Sequence, residues 1–305
     1  MSYKLLTYET EAGPRAGLLV NESVVDVAAA SGEPGYGAVL GILADWDKAE
    51  PILSALAARP GEGHPALADI RLLAPILYPG QIYAAGANYR DHIAEMTDDP
   101  DAFPAPQTRE DGARPWHFTK SSRSAVIGHG AIRPLPPYSR KVDWEIELAV
   151  VIGRQATNLT VETALDHVAG YTIANDLSAR DFVMRPGTPP DSPFYYDWIA
   201  HKGFDGACPL GPWITPASAI ADPQRLGLKL WVGDELMQNS NTGFMIYSIA
   251  EQLAELSSRV TLNPGDLVLT GTPSGVGMGR GRFLRPGERV RLWIEDIGEL
   301  QHGFS

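Results

Sequence analysis

The sequence predicts an α+β fold, in which a mixed, strand-rich main domain (residues 73–305) follows a small N-terminal α+β domain (residues 1–72). Short apolar segments typical of strands dominate the main domain, whereas segments with helical spacing are few. Near the predicted boundary, Arg59–Pro65 combines two prolines with two glycines, which interrupts the helical pattern before it. A mixed set of elements of this kind is typical of an α+β architecture.

In the N-terminal domain, strand-like segments come first and helices follow. Lys4–Tyr8, Ala16–Val20 and Ser23–Ala28 are short, apolar and separated by turns, which predicts a small meander. Ala38–Trp46 and Pro51–Ala58 carry apolar residues at helical spacing and are predicted to be helices. Together these elements make a small α+β unit.

In the main domain, strands are predicted along most of the length and helices at few places. Helices are predicted over Asn88–Met96, Thr163–His167 and Phe244–Ser258, the last with one apolar face. Thr97–Pro115 is rich in Asp, Pro and Gly, which predicts a mobile loop. The predicted strands are Gln81–Ala85, Trp116–Lys120, Ser124–Ile127, Val142–Ile152, Val168–Asn175, Leu228–Val232, Leu267–Thr270 and Arg289–Ile294.

Charge and cysteine content argue against several classes of function. The chain has 25 Lys and Arg residues against 37 Asp and Glu, a formal net charge of -12, which disfavours a nucleic-acid partner. The single cysteine, Cys208, cannot form an internal disulfide and is expected to be a buried apolar residue in a reducing compartment. No apolar run approaches the ~18 residues of a membrane span, and the first residues lack a secretory signal, so a cytoplasmic protein is expected.

Three acidic residues share one face of the predicted strand Val142–Ile152. Asp143, Glu145 and Glu147 alternate with apolar residues on the other face, and the acidic face continues into Ala149. Solvated strand faces usually mix charge signs, because like charges two residues apart repel each other. The group of carboxylates therefore indicates either a cation site, where a buried strand reaches an opening, or a solvated face.

Asp176 is the candidate third ligand. It follows the predicted strand Val168–Asn175, and its alternative role is to cap the next turn, for which Ser178 competes. Carboxylate oxygens suit Mg²⁺, Mn²⁺ or Ca²⁺ better than zinc, because neither additional cysteines nor paired histidines accompany them. Glu145, Glu147 and Asp176 are thus a candidate metal site.

His92 and Glu95 lie three residues apart and share a face of the predicted helix Asn88–Met96. One interpretation is an exposed ion pair. The other is a catalytic pair, in which the Glu95 carboxylate orients the His92 imidazole and raises its basicity, so that it can deprotonate water. Because Thr97–Pro115 follows this helix, a lid is predicted over about residues 88–116.

Two glycine-rich segments complete the candidate residues. His201–Trp213 contains several Gly and Pro residues, which predicts a loop carrying Lys202. An exposed lysine is the default there, whereas a buried one would stabilise a developing enolate. Leu267–Gly279 matches neither the Rossmann nor the Walker spacing and is interrupted by Pro273, so a small ligand held by backbone amides and the Thr272 hydroxyl is preferred over a nucleotide.

Five ordered motifs between about residues 75 and 300 closely resemble the fumarylacetoacetate hydrolase family. The resemblance implies a β-roll catalytic domain, usually in a homodimer, after a variable N-terminal domain. It also implies Mg²⁺ or Mn²⁺ at the three candidate carboxylates, a lid helix with a His-Glu pair, and an anionic 2-oxo acid as the substrate. The motifs are Gly86–Glu95, Asp143–Leu148, Asn175–Asp181, Lys202–Asp205 and Gly271–Gly277.

The resemblance also implies roles for individual residues. Positions that match Lys202, Arg180 and Thr272 contact substrate or intermediate in relatives, which implies a catalytic Lys202 and substrate binding by the other two. Lys120 is either a pocket lysine or an outward-facing one. The insert Thr97–Pro115 is longer than in compact relatives and leaves the size of the substrate open.

The first functional hypothesis is a hydrolase that cleaves a carbon-carbon bond in a diketo acid of the acylpyruvate or fumarylpyruvate type. The cation would stabilise the enolate that leaves, His92 with Glu95 would activate water, and Lys202 would neutralise charge on the attacked carbonyl. The alternative within the family is an isomerase or decarboxylase of hydroxymuconate-like dioates or oxaloacetate. A third hypothesis is a non-catalytic scaffold in which the acids and their metal only stabilise the fold.

Overall fold

The computed structural model describes residues 3–97 and 112–305, and within them strands outnumber helices. The strands are β1 (Lys4–Thr10), β2 (Gly13–Val20), β3 (Ser23–Asp26), β4 (Ile82–Ala85), β5 (His117–Lys120), β6 (Val126–Ile127), β7 (Ile132–Arg133), β8 (Val142–Asp143), β9 (Ile146–Ile152), β10 (Val168–Asn175), β11 (Ser178–Ala179), β12 (Cys208–Pro216), β13 (Gly227–Val232), β14 (Glu235–Asn241), β15 (Leu267–Leu269), β16 (Arg289–Ile294) and β17 (Gly298–Phe304).

Most helices are short. The α-helices are α1 (Val27–Ser31), α2 (Val39–Ala44), α3 (Trp46–Ala58), α4 (Arg90–Thr97), α5 (Trp198–Lys202) and α6 (Ile249–Ser257). The 3₁₀ turns are Pro34–Gly37, Leu67–Asp69, Ala164–His167, Arg180–Phe182, Ala217–Ala219, Thr242–Phe244 and Met278–Arg280.

A ten-stranded sheet forms the centre of the fold, in the order β3-β2-β1-β12-β10-β9-β15-β4-β5, with β6 paired to β12. The strand β9 is antiparallel to both of its neighbours, β10 and β15. A second sheet has five strands in the order β14-β13-β16-β17-β7, and β8 pairs with β11 alone. The strand that carries the acidic motif therefore lies inside the main sheet and not at its edge.

The strand β9 is buried on both faces. Leu148 lies in one hydrophobic core with Leu230 and Leu292 of the five-stranded sheet. Ala149, on the opposite face, lies in a second core with Trp46 of α3. A strand enclosed in this way is rigid, so it fixes the acidic residues at its beginning.

The predicted strand Val142–Ile152 is interrupted at residues 144–145, between β8 and β9. At the interruption, side chains accept the backbone hydrogen bonds. Trp144 N donates to Asp143 Oδ1 at 2.8 Å, and Glu145 N donates to Asn175 Oδ1 at 2.9 Å. These bonds satisfy the backbone where no strand partner does so.

The prediction that Lys202 lies on a loop is wrong, because Lys202 is the last residue of the helix α5. The side chain of Asp197 caps this helix by accepting a hydrogen bond from Ala200 N at 2.9 Å. The glycines that predicted a loop begin only at Gly203, after the helix has ended. The strand β12 begins at Cys208, and its prolines argue against a strand in the sequence.

Two predicted helices are shorter than expected. The helix predicted over Phe244–Ser258 begins at Ile249, because Ser248 and Glu251 form a capping box there. The segment Thr163–His167 contains a 3₁₀ turn and not an α-helix.

The mixed sheets and helices confirm the predicted α+β class. The β-roll and the separate N-terminal domain stay predictions, and β1 pairs with β12 of the main domain through Leu5 and Ile214. Most of the predicted mobile loop Thr97–Pro115 lies outside the described residues. In the part of the chain that the structure describes, no helix is long and apolar enough to cross a membrane.

Candidate active site

The structure brings the three candidate metal ligands together. One carboxylate oxygen from each of Glu145, Glu147 and Asp176 lies within 4.8 Å of the others, and all three residues are buried. Glu145 and Glu147 lie on one side of the chain at the start of β9, and Asp176 directly follows β10. The two segments are held in register, since Asp176 N donates to the carbonyl oxygen of Glu145 at 2.9 Å.

Three basic side chains surround the carboxylates. Lys202 Nζ lies 2.7 Å from Glu145 Oε2 and 2.7 Å from Asp176 Oδ2. Lys120 Nζ lies 2.5 Å from Asp176 Oδ1, and Arg180 Nη2 lies 2.6 Å from Glu145 Oε1. Lys120 therefore points into the site, which decides between its two predicted orientations. Carboxylates that are buried this close together require cationic partners of this kind to remain ionised.

The surroundings shift the pKa values of Glu145 and Glu147 in opposite directions. Burial by itself would raise the pKa of Glu145, but the ammonium of Lys202 and the guanidinium of Arg180 hold it at about 2. Burial and the neighbouring carboxylates of Asp176 and Glu145 raise the pKa of Glu147 well above its usual range. Among the described residues, Glu147 forms no ion pair of the kind that Glu145 has, so it is the carboxylate whose charge a bound cation would offset most.

The donor set fits a hard divalent cation. Three converging carboxylates offer only oxygen, which Mg²⁺ and Mn²⁺ prefer, and the Lys202 ammonium already bridges two of them as a cation would. Asp143, the third acid of the motif, is not part of this set. Its carboxylate instead accepts hydrogen bonds from Gly277 N at 2.6 Å and Met278 N at 3.0 Å.

His92 and Glu95 face each other on α4, with His92 Nδ1 at 3.4 Å from Glu95 Oε2. His92 is buried, and it is among the groups that lower the pKa of Glu145, so the imidazole lies near the carboxylate cluster. Both Glu95 oxygens lie 3.1 Å from the backbone nitrogen of Gly275. The pair is therefore not an exposed ion pair, because the glycine-rich turn holds its carboxylate.

Thr272 is buried beside the cluster, but its hydroxyl is already engaged. It donates to the carbonyl oxygen of Ile146 at 2.9 Å and accepts a hydrogen bond from Gln238 Nε2 at 2.9 Å. Gln238 Oε1 also accepts from Ile146 N at 3.0 Å. Thr272 and Gln238 together hold the residue between the two glutamates, while Gly271 N donates to Glu147 Oε2 at 2.6 Å.

Sequence reasoning did not identify several residues that support the site. Asn175 accepts from Glu145 N and donates through Nδ2 to His302 Nε2 at 2.9 Å. Asn175 begins one of the family motifs, but neither Asn175 nor Gln238 belongs to a charged or periodic pattern that would predict its role. Asp143 was visible as an acid on the same face, but only the fold shows that it binds the glycine-rich turn.

The fold and the site define a class, an α+β protein in which carboxylates at the ends of two buried strands lie near a His-Glu pair. Residues 81–305 match the family model described as fumarylacetoacetate (FAA) hydrolase C-terminal. The chain belongs to the fumarylacetoacetate hydrolase family.

Curated relatives are about two fifths identical to this chain over the aligned residues. A mitochondrial oxaloacetate tautomerase of Xenopus laevis is 42% identical over 236 residues, which are 77% of this chain and 68% of that protein. A human mitochondrial oxaloacetate tautomerase is 38% identical over 234 residues, 76% of this chain and 68% of its own length.

Solved structures match along nearly the whole chain. A putative HpcE protein from Mycobacterium smegmatis has a TM-score of 0.81 and 32% identity, with 98% of both chains covered. A maleylpyruvate hydrolase from Sphingobium, in complex with manganese(II) and pyruvate, has a TM-score of 0.76 and 28% identity, with 99% of this chain and 98% of that chain covered.

Proposed function

We propose that this protein is a metal-dependent enzyme that forms the enol of a 2-oxo acid, with keto-enol tautomerisation as its reaction. The observation that carries the proposal is the convergence of three buried carboxylates with Lys202, close to the His92–Glu95 pair. The arrangement combines a cation site, an ammonium group and a base, which are the groups that enol formation requires.

The substrate would bind at the cluster of Glu145, Glu147 and Asp176. A divalent cation held there would supply Lewis-acid polarisation of the 2-oxo acid. Lys202 and Arg180 are positioned to stabilise negative charge on substrate oxygens, since both already contact the carboxylate of Glu145.

His92 would move the proton. Its Nδ1 faces Glu95, which leaves Nε2 as the atom that would remove a proton from the carbon beside the carbonyl and deliver it to the carbonyl oxygen. In the reverse direction the proton moves from the enol oxygen to that carbon. Glu95 would stabilise the imidazolium that forms, and the turn at Gly275 holds Glu95 in place. No water molecule has to attack in this reaction, so the site needs no further nucleophile.

The relatives support tautomerisation over the hydrolysis that the sequence motifs suggested first. Proteins named oxaloacetate tautomerase are 38% to 42% identical to this chain, whereas the maleylpyruvate hydrolase structure is 28% identical. Hydrolysis of a diketo acid is the second candidate, because that structure holds manganese(II) and pyruvate in a fold covering nearly all of this chain.

Product analysis with two substrates tests the proposal. Protein freed of metal and reloaded with Mg²⁺ or Mn²⁺ is mixed with oxaloacetate or with acetylpyruvate, while the enol absorbance and the products are followed. Tautomerisation would change the enol absorbance faster than occurs in buffer without the protein, and no pyruvate would form. Pyruvate with a second acid from acetylpyruvate would show hydrolysis, and pyruvate with carbon dioxide from oxaloacetate would show decarboxylation. Absence of any cation-dependent change would overturn all three.

A further inference from the structure

Three aromatic side chains form a continuous cluster beside the site, and we call Trp116, Phe118 and Trp198 the aromatic wall. The ring centroids of Trp116 and Trp198 are 5.1 Å apart, those of Phe118 and Trp198 are 5.2 Å apart and stacked, and those of Trp116 and Phe118 are 5.7 Å apart. Trp116 remains 49% exposed although it contacts both partners. A large apolar surface is thus available for a further contact.

The aromatic wall connects the helix that carries Lys202 with the segment that leads to the helix of His92. Trp198 is the first residue of α5, and Lys202 is the last. The ammonium of Lys202 lies 5.2 Å from the ring centroid of Phe118 while it contacts Glu145 and Asp176. The wall therefore begins next to the carboxylate cluster.

The other side of the wall meets the segment that leads to His92. Gly86 N donates to the carbonyl oxygen of Trp116 at 3.0 Å, and α4 begins four residues later at Arg90. A Cβ built on Gly86 would lie only 2.3 Å from the Trp116 ring. Glycine at this position allows the indole to lie against the backbone, so the ring is held between β4 and α5.

We propose that the aromatic wall determines substrate specificity by receiving a flat, uncharged group at the end of the substrate that is distant from the 2-oxo acid. This inference rests on the proposed function and names its substrate class, which is an aryl-substituted or similarly apolar 2-oxo acid. Aromatic rings stack on each other in offset or tilted arrangements, whereas their negative faces disfavour a second carboxylate. Trp116 has the exposed surface for this contact.

Binding measurements test the wall without relying on turnover. Calorimetry with the Mn²⁺-loaded protein compares phenylpyruvate with pyruvate, and the ratio of their dissociation constants is the readout. We expect wild type to prefer phenylpyruvate by about tenfold, and Trp116→Ala to lose most of this preference while its affinity for pyruvate changes less than about twofold. Trp116→Phe should retain most of the preference.

The matched control is Trp231→Ala, because Trp231 is a tryptophan of the five-stranded sheet that stacks on Arg291, at 3.7 Å from the guanidinium carbon. It should leave the ratio unchanged, and thermal unfolding checks that each variant is folded. The proposal would be overturned if folded Trp116→Ala kept the ratio of dissociation constants unchanged, or if wild type did not prefer phenylpyruvate. Turnover of acetylpyruvate or oxaloacetate by wild type is measured separately, so that a failure of the proposed function can be distinguished from a failure of the proposed role of the aromatic wall.

Discussion

At the scale of single residues, Asp176 is a buried carboxylate that contacts two buried ammonium groups. Its two oxygens contact Lys120 at 2.5 Å and Lys202 at 2.7 Å, and it completes the carboxylate set with Glu145 and Glu147. A divalent cation held by these carboxylates would therefore share Asp176 with two ammonium groups. Removing its charge should weaken cation binding more than any change in the surrounding turns.

The first prediction concerns Asp176→Asn. A ligand that binds only the folded state stabilises it by about 2.7 kcal/mol at 100 times its dissociation constant, so Mn²⁺ should raise the Tm of wild type. Asp176→Asn should lose this rise and at least about 100-fold in activity, since a ligand and a charge partner are both lost. Thermal unfolding with and without Mn²⁺ measures the difference.

Glu95→Gln is the control for that experiment. Glu95 contacts His92 and the Gly275 backbone and lies outside the carboxylate set, so the variant should keep the Mn²⁺-dependent rise in Tm but lose turnover. An equal rise in Asp176→Asn and wild type would argue against the metal site. Full activity in Glu95→Gln would contradict the His-Glu mechanism.

The second prediction concerns His302, whose pKa burial lowers to about 3. In the unfolded chain a histidine titrates near 6.5, so between pH 6.5 and pH 3 the unfolded state binds a proton that the folded state does not. The contribution of His302 to stability is therefore fully present above pH 6.5 and falls by about 1.4 kcal/mol per pH unit below it. Urea unfolding at pH 7, 6 and 5 measures the slope.

His302→Gln should make this slope shallower by about the same 1.4 kcal/mol per pH unit, because glutamine does not titrate. The Gln oxygen can still accept the hydrogen bond from Asn175 Nδ2, which now goes to His302 Nε2. Burial also lowers the pKa of His117 to about 4 and that of His201 to about 2, so part of the acid sensitivity remains in the variant. A slope identical to wild type would contradict the neutral, buried state of His302.

The sequence could identify the acids of the site but not the cations around them. Alternation along a strand places Glu145 and Glu147 on one side, and helical spacing pairs His92 with Glu95, so both groups follow from local geometry. The orientation of Lys120 depends on the pairing of β4 with β5, which joins Ile82 to Lys120. Such contacts between distant segments leave no periodic signal in the chain.

At the scale of elements, Asp143 joins the acidic strand to the glycine-rich turn. It is completely buried and accepts hydrogen bonds from Gly277 and Met278 while it forms an ion pair with Arg180 at 2.9 Å. Burial raises the pKa of Asp143, although Arg180 acts in the opposite direction. The carboxylate therefore organises a turn whose residues also hold Glu95.

The third prediction is that Asp143→Ala lowers the free energy of unfolding by about 3–5 kcal/mol, because it leaves buried partners without their counter-charge. Asp47→Ala is the matched control, since Asp47 forms an ion pair with Arg154 at the surface and should cost less than about 1 kcal/mol. Urea denaturation compares the variants. Similar losses of stability in both variants would show that the buried hydrogen bonds and ion pair of Asp143 contribute little to the free energy of unfolding.

The elements differ in how well their sequence shows them. The central strands β9 and β10 are long apolar runs, and α6 has both an apolar face and a capping residue, so pattern alone finds them. The strand β12 contains Pro209 and Pro212, which argue against a strand until its partners are known. The helix α5 spans only Trp198–Lys202, which is too short for a periodic signal.

At the scale of the whole molecule, the N-terminal segment and the main domain share one core. Trp46 of α3 lies in the same hydrophobic cluster as Ala149 and Val151 of β9. A Cβ built on Gly153, just after β9, would lie 3.1 Å from Trp46 Cδ1. The helices of the first 72 residues therefore cover the face of the sheet that continues into the carboxylate cluster, whereas the homodimer remains a prediction from the resemblance.

The fourth prediction follows from this shared core. Trp46→Ala should lower the free energy of unfolding by about 3–5 kcal/mol, as expected when a large buried side chain is removed. Because the cavity borders β9, hydrogen exchange should show faster exchange at Val150 and its neighbours as well as in α3. Lys48→Ala, at an exposed position of the same helix, should change neither. Faster exchange confined to residues 3–72 would mean that the N-terminal segment unfolds on its own, and the boundary near residue 72 would then separate two independently stable domains.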